Sequence, residues 1–159
     1  MADNFQSATK SAAAGGNTTV LPFAMQEKGQ SLRECVESYH KKAKGNLFVE
    51  TSFHLIISDP SPQVLGQELP ALARDGYTSF KVFMTYDDLV LNDEELLKVF
   101  EVAKNEKTLV MVHAEGYDAI RFLTKKLEDE GKLAPYYHGL SRPQICLLYT
   151  SDAADEHSW

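Results

Sequence analysis

The chain has 159 residues, of which 43% are apolar and 25% charged, a composition that suits one globular domain with a sizeable core. Its formal net charge of −7 comes from acidic residues spread along the chain, so nucleic acid is not an expected partner. Two cysteines are too few for a disulfide framework, and the absence of a basic-then-apolar leader or a long apolar run predicts a cytoplasmic protein without a membrane span.

The chain opens with a helix, a strand and a second helix. The alanine-rich stretch from Asp3 to Ala14, closed by two glycines, predicts the end of a helix. A strand is predicted over 17–25, and its Pro22 should bend it because proline has no N–H for the sheet. The next helix should begin at Ser31, which with Glu34 forms a capping-box pattern.

The same alternation continues through the rest of the chain. The predicted elements are a strand over 46–57, a helix between Pro60 and Gly76, a strand over 79–86, a helix capped by Asn92, a strand over 108–113 and a helix over 117–130. Two helical stripes are expected to be buried. The first contains Leu96, Leu97, Phe100 and Ala103, and the second contains Ile120, Leu123 and Leu127.

Strand starts near residues 17, 46, 79 and 108 indicate a βα repeat. Strands that are apolar on both faces predict a parallel sheet covered by helices, in a barrel or a doubly wound sheet. A glycine-rich phosphate loop follows none of the strands, which weighs against a nucleotide-binding doubly wound sheet. We therefore predict the α/β class and a partial (β/α)8 TIM barrel of about four βα units.

Three residues near the strand ends are candidates for chemistry. Lys81 would place a charge in a central strand, although the residues alone leave open a lysine that reaches solvent or pairs with a carboxylate. His113 ends the next strand at the carboxyl rim, where a lone histidine is more often structural than a metal ligand. Tyr86 is either a half-exposed aromatic or a hydrogen-bond donor. In a parallel sheet, Lys81 and His113 would lie side by side.

Five segments carry a family resemblance: AAAGGNTTVLPFA, FHLIISDP, GYTSFKVFMTYDD, LVMVHAEGYDAI and YYHGLSRP. Over about residues 2–144 the chain resembles the dihydropyrimidinase and D-hydantoinase family of the amidohydrolase superfamily. The pairing of KVFMTY with VHAE resembles this branch more than dihydroorotase or allantoinase. We interpret residues 1–144 as a fragment of the barrel domain, and residues 145–159, which resemble no part of the family, as an artefactual tail.

The resemblance implies a site with two divalent metal ions, usually zinc, bridged by a hydroxide and by a lysine that carbon dioxide has carboxylated. Lys81 falls on that lysine, and His113 falls on a metal-binding histidine of the next strand. Tyr86 falls on the tyrosine that hydrogen-bonds the reaction's oxyanion, and Phe83 falls on the substrate-facing wall. The implied activity is the opening of dihydropyrimidine or hydantoin rings to N-carbamoyl amino acids by a homotetrameric enzyme.

The family's remaining metal ligands have no counterpart in this chain. An H-x-H pair, a further histidine and an aspartate are expected outside it, so we predict that the chain alone is inactive. An allantoinase-like or dihydroorotase-like hydrolase is one alternative. A non-catalytic dihydropyrimidinase-related binding protein is another, but such relatives usually lose the metal residues, whereas Lys81 and His113 are present here.

Overall fold

The computed structural model describes residues 3–146, which form an alternating series of helices and strands. The strands are β1 (Thr19–Val20), β2 (Phe23–Met25), β3 (Glu50–Thr51), β4 (His54–Ile56), β5 (Ser79–Phe83) and β6 (Leu109–His113). The helices are α1 (Phe5–Ala14), α2 (Leu32–Ala43), α3 (Leu69–Arg74), α4 (Asp93–Glu106), α5 (Tyr117–Asp129) and α6 (Pro135–Leu140). A π-helical turn, Val64–Glu68, precedes α3, and a 3₁₀ turn, Gln144–Cys146, ends the described region.

The main sheet is parallel and has the order β2-β4-β5-β6. The strands predicted over 17–25 and 46–57 are each divided, and their first halves pair separately as β1 and β3. The break in the first strand falls at Pro22, which cannot donate to a sheet. The third strand ends at Phe83 rather than at Tyr86. Tyr86 lies outside the strand, with its backbone in the left-handed region at φ 75°.

The helices cover one face of this sheet. On that face the central side chains are fully buried against α2, α3 and α4; they are Ala24, Leu55, Phe80 and Val82. The opposite face is open in the described part of the chain, where Phe23, Met25 and Leu109 remain 43%, 47% and 63% exposed. A doubly wound sheet would carry helices on both faces, whereas one covered face and one inner face are the arrangement of a barrel wall.

Two predicted helical stripes differ from the structure. In α4 the buried residues are Leu96, Val99 and Ala103, while Leu97 is 66% exposed because it lies about 100° around the helix from Leu96. Phe100 is also exposed. In α5 Ile120 is buried, but the other two members of the predicted stripe, Leu123 and Leu127, are half-buried. Helix α5 packs against α6 and the 3₁₀ turn, which cover only part of that stripe.

The beginning of α2 is held by a residue distant in sequence. Ser31 accepts a hydrogen bond from the Glu34 N–H at 3.4 Å, but within the described residues Glu34 makes no return bond, so the predicted capping box is only half formed. The Glu68 carboxylate accepts from the Leu32 N–H at 2.6 Å and the Ser31 hydroxyl at 3.1 Å. It also accepts from the Gln63 amide at 2.7 Å. Glu68 is only 5% exposed and therefore joins α2 to the π-helical turn.

The loops at the carboxyl edge of β2 and β4 are joined by Gln26, which is buried. Its amide nitrogen donates to the carbonyls of Gln30 and Asp59 at 2.9 and 3.3 Å. Its amide oxygen accepts from the N–H groups of Ser58 and Asp59, both at 3.1 Å. All four hydrogen-bonding positions of this buried amide are filled, so it fixes the two loops relative to each other.

The predicted tail, residues 145–159, lies mostly outside the described residues. Its first two positions belong to the 3₁₀ turn Gln144–Cys146, and residues 147–159 are outside. Between residues 3 and 146, none of the helices has the length and apolar character required to cross a membrane.

Candidate active site

The register of β5 and β6 places the candidate residues on the open face of the sheet. Lys81 pairs with Met111, and Phe83 pairs with His113. Because side chains alternate along a strand and paired residues of parallel strands point the same way, these four side chains share one face. Lys81 lies in the middle of β5, and His113 lies at the carboxyl end of β6. His113 is two residues beyond Met111, the partner of Lys81, so the two candidate residues share a face but are offset along the sheet.

The aromatic ring of Phe83 connects the candidate residues. The Lys81 ammonium lies 5.2 Å from the Phe83 ring centroid. Phe83 stacks on the His113 imidazole, with centroids 5.6 Å apart and an interplanar angle of 19°. The Tyr86 ring lies 5.0 Å from His113 and 5.9 Å from Phe83. Lys81, Phe83, Tyr86 and His113 therefore form one cluster, which we call the open-face cluster.

Lys81 is half-buried and makes no ion pair with any residue between 3 and 146. Its burial lowers the pKa of the ammonium group below the ordinary lysine value, because the charged form loses water without gaining an anion. The sequence left open that Lys81 either reaches solvent or pairs with a carboxylate. The described residues contain no such carboxylate pair. A lower pKa enlarges the neutral fraction, which is the form of an amine that reacts with carbon dioxide.

His113 has a carboxylate partner that the sequence interpretation missed. The Nε2 atom of His113 is hydrogen-bonded to the carboxylate of Glu115, whose side chain is largely buried. The Tyr86 hydroxyl lies 3.5 Å from the same nitrogen. A carboxylate that accepts from one imidazole nitrogen leaves the other as a lone-pair donor, as is common for metal-binding histidines. The sequence VHAE could have indicated this contact. Glu115 follows His113 by two residues, and in extended backbone residues two apart lie on the same side of the chain.

The described residues supply only part of a metal centre. Between residues 3 and 146, no group of three or more histidine, cysteine, aspartate or glutamate side chains is arranged to hold an ion. Lys81 and His113 are two suitable donors on one face, and a lysine can bridge metal ions only after carboxylation has made it an anion. The donors present therefore fit part of a metal centre of the kind that the resemblance implies, and such a centre would require further ligands to be complete.

The sequence of the chain is similar to those of known enzymes. No protein-family profile matches the chain. It is 44% identical to a D-hydantoinase of Geobacillus stearothermophilus over 143 residues, which are 89% of this chain and 30% of that protein. It is 36% identical to a dihydropyrimidinase of Rattus norvegicus over 144 residues, which are 89% of this chain and 28% of the relative.

The likeness extends to three dimensions. A solved structure of a D-hydantoinase superposes with a TM-score of 0.90 at 42% identity, covering 96% of this chain and 33% of the solved chain. The predicted partial barrel is confirmed by this likeness to hydantoinases. The chain spans about a third of the length of the relatives it matches. By sequence and by structure, it belongs to the family of D-hydantoinases and dihydropyrimidinases.

Proposed function

We propose that this chain forms part of the active site of a metal-dependent hydrolase that opens cyclic amide rings of the dihydropyrimidine or hydantoin type to N-carbamoyl amino acids. The observation that carries the proposal is the open-face cluster, in which Lys81, Phe83, Tyr86 and His113 lie together on the inner face of a partial barrel. The activity named for the relatives, hydantoinase and dihydropyrimidinase, supports the same reaction class.

In this proposal Lys81 and His113 hold the metal ions, which we propose to be zinc. Lys81 would do so after carboxylation by carbon dioxide, which converts a half-buried cation into an anion with two oxygen donors. When bound, the metal ions lower the pKa of a water molecule and polarise the ring carbonyl. Glu115 accepts the Nε2–H of His113. This leaves the lone pair of the other ring nitrogen, Nδ1, as the donor to a metal ion.

Tyr86 and Phe83 have different proposed roles beside the metal donors. The Tyr86 hydroxyl lies next to His113 at the carboxyl edge of the sheet, where it can donate a hydrogen bond to the oxyanion that develops from the amide carbonyl. Phe83 presents an apolar ring between Lys81 and His113. This ring would exclude water from one side of the substrate and contact its ring substituent.

Two alternatives predict different substrates or none. An allantoinase-like or dihydroorotase-like enzyme would use the same donors on another cyclic amide, and a binding protein of this fold would show no turnover. The donors Lys81 and His113 favour an enzyme, and the similarity to hydantoinases and dihydropyrimidinases favours their substrates.

The proposal is tested by grafting residues 3–146 in place of the matching segment of the Geobacillus stearothermophilus D-hydantoinase, called the grafted enzyme below. We expect it to bind zinc and to open dihydrouracil and hydantoin faster than allantoin or dihydroorotate. The 159-residue chain with zinc and bicarbonate should open none of them, since its described residues do not complete a metal site. A grafted enzyme that folds and binds metal but turns over no cyclic amide would contradict the proposal.

Replacing Tyr86 by phenylalanine tests the oxyanion role. In the grafted enzyme we expect kcat to fall roughly 10²-fold, as for other single oxyanion donors, with metal content unchanged. Steady-state kinetics and elemental analysis measure the two quantities. The matched control is Tyr136→Phe, which alters a tyrosine of α6 that is 73% exposed. Equal kcat values for the Tyr86 variant and the control would show that the Tyr86 hydroxyl does not take part in the reaction.

A further inference from the structure

The backbone at Tyr86 is in a conformation that a tyrosine rarely adopts. Tyr86 has φ 75°, and within residues 3–146 only Lys107 shares a positive φ among the non-glycine residues. The left-handed region brings Cβ close to the backbone, so it is populated only where the surroundings hold it. The direction of the Tyr86 ring, and therefore of its hydroxyl, depends on what maintains this turn.

Backbone hydrogen bonds close the turn from within. The Tyr86 carbonyl accepts from the N–H groups of Leu89 and Val90 at 3.0 and 2.8 Å. Beyond them, the Leu91 N–H donates to the Phe83 carbonyl at 3.0 Å, and the Leu91 side chain is buried. The far end of the turn is thus attached to β5, while its tip, Asp87 and Asp88, is exposed.

One side chain from another element reaches that tip. Tyr117, the first residue of α5, donates a hydrogen bond from its hydroxyl to the Asp87 carboxylate. This bond raises the pKa of the Tyr117 phenol above its ordinary value. The Arg121 guanidinium lies over the Tyr117 ring, 5.2 Å from its centroid. Both residues of this bond line a groove of about 820 Å³.

This bond joins the two segments that carry the candidate residues. Asp87 follows Tyr86 directly, and Tyr117 begins the helix that comes four residues after His113. The backbone joins the same segments at a second place, where the Met84 N–H donates to the His113 carbonyl at 2.9 Å. The two segments are thus hydrogen-bonded at the strand ends, by Met84 and His113, and at the tip of the turn, by Tyr117 and Asp87. Movement of the Tyr86 turn away from His113 would break the Tyr117 bond.

We propose that Tyr117 is a positioning residue, whose hydrogen bond to Asp87 maintains the left-handed turn at Tyr86 and keeps the Tyr86 hydroxyl beside His113. The catalytic consequence rests on the proposed function, whereas the structural part does not. Tyr117 touches no reacting atom in this proposal and acts only through the turn.

The structural part is tested by amide hydrogen exchange on the 159-residue chain and, in parallel, on the grafted enzyme. Tyr117→Phe should accelerate exchange at Leu89 and Val90 roughly fivefold, the effect of losing one exposed hydrogen bond, and leave Val82 in β5 unchanged. Asp87→Asn keeps an oxygen that accepts from Tyr117 and should retain protection, whereas Asp87→Ala should lose it. The double variant Tyr117→Phe, Asp87→Ala should exchange no faster than either single variant.

The catalytic part is measured by kcat and KM of the grafted enzyme. Tyr117→Phe should lower kcat about tenfold with KM and metal content unchanged, because a displaced hydroxyl weakens the transition state more than substrate binding. Tyr136→Phe is the control for loss of an exposed tyrosine hydroxyl. Unchanged exchange at Leu89 and Val90 in Tyr117→Phe, or an Asp87→Asn variant as unprotected as Asp87→Ala, would overturn the proposal. An unmodified grafted enzyme that folds and binds metal but is inactive would instead contradict the proposed function, and the exchange data would still decide the role of Tyr117.

Discussion

Replacing Lys81 by alanine in the grafted enzyme is expected to abolish ring opening and to remove the bound metal. Lys81 is the one lysine on the open face of β5, and no carboxylate among residues 3–146 is paired with it. Under the proposed function, a carboxylated Lys81 would supply anionic oxygen donors to the metal centre. Alanine can form no carbamate, so these donors and the negative charge that offsets the cations would both be lost. Elemental analysis and a ring-opening assay on dihydrouracil measure the two losses.

The control for this variant is Lys98→Ala, which removes an exposed lysine of α4 that pairs with Glu94 four residues earlier. It should keep metal and turnover. Circular dichroism of both variants separates a loss of ligand from a loss of fold. If the alanine variant at position 81 were folded and kept its full metal content, the bridging role of Lys81 would be wrong.

Replacing Glu68 by alanine is expected to lower the free energy of unfolding by about 3 kcal/mol, roughly a 150-fold change in the unfolding equilibrium. The carboxylate is buried and accepts from two backbone N–H groups at the start of α2, from the Ser31 hydroxyl and from the Gln63 amide. Alanine would leave these donors without an acceptor in a site that water reaches poorly. Urea denaturation of the grafted enzyme, followed by circular dichroism, measures the difference.

The effect of Glu68 should depend on pH in a defined direction. Burial alone would raise the pKa of Glu68, but the hydrogen bonds from Gln63, Leu32, Ser31 and Arg33 outweigh it and lower the pKa below the ordinary value. A carboxylate with a lowered pKa in the folded state stabilises fully above its unfolded pKa of about 4.3, and this stabilisation disappears as the pH falls through the folded value. The difference in stability between the two proteins should therefore be largest near neutral pH and should become smaller in acid.

Glu34→Ala is the matched control, because Glu34 lies in the first turn of α2 and was the expected partner of Ser31. In the structure its side chain is exposed and returns no bond to Ser31, so its loss should change stability only slightly. A large effect of Glu34→Ala with a small effect of Glu68→Ala would show that the local capping box, and not Glu68, holds this helix.

The sequence by itself determined the elements whose signals are local. Asn92 caps α4 and glycine closes α1, as each segment predicts, and the structure adds a return hydrogen bond from the Asn92 N–H to Glu95. A cap or a helix stop requires only residues three or four apart, so its energy is already present in a short peptide. The spacing of the βα units likewise predicted the parallel sheet. The role proposed for Lys81, in contrast, came from the family resemblance, because a lysine in a strand is compatible with several functions.

The tertiary structure decided every feature that depends on a partner distant in the chain. Glu68 reaches α2 from 36 residues away, and Tyr117 reaches Asp87 across 30 residues. Leu96 and Leu97 are identical in type, yet only contact with the sheet determines that the first is buried and the second exposed. The left-handed backbone of Tyr86 is opposed by its own local preference and is maintained by contacts. Local sequence restricts each residue's conformations, but selection among them is made by packing and hydrogen bonds between segments, which form only when the sheet assembles.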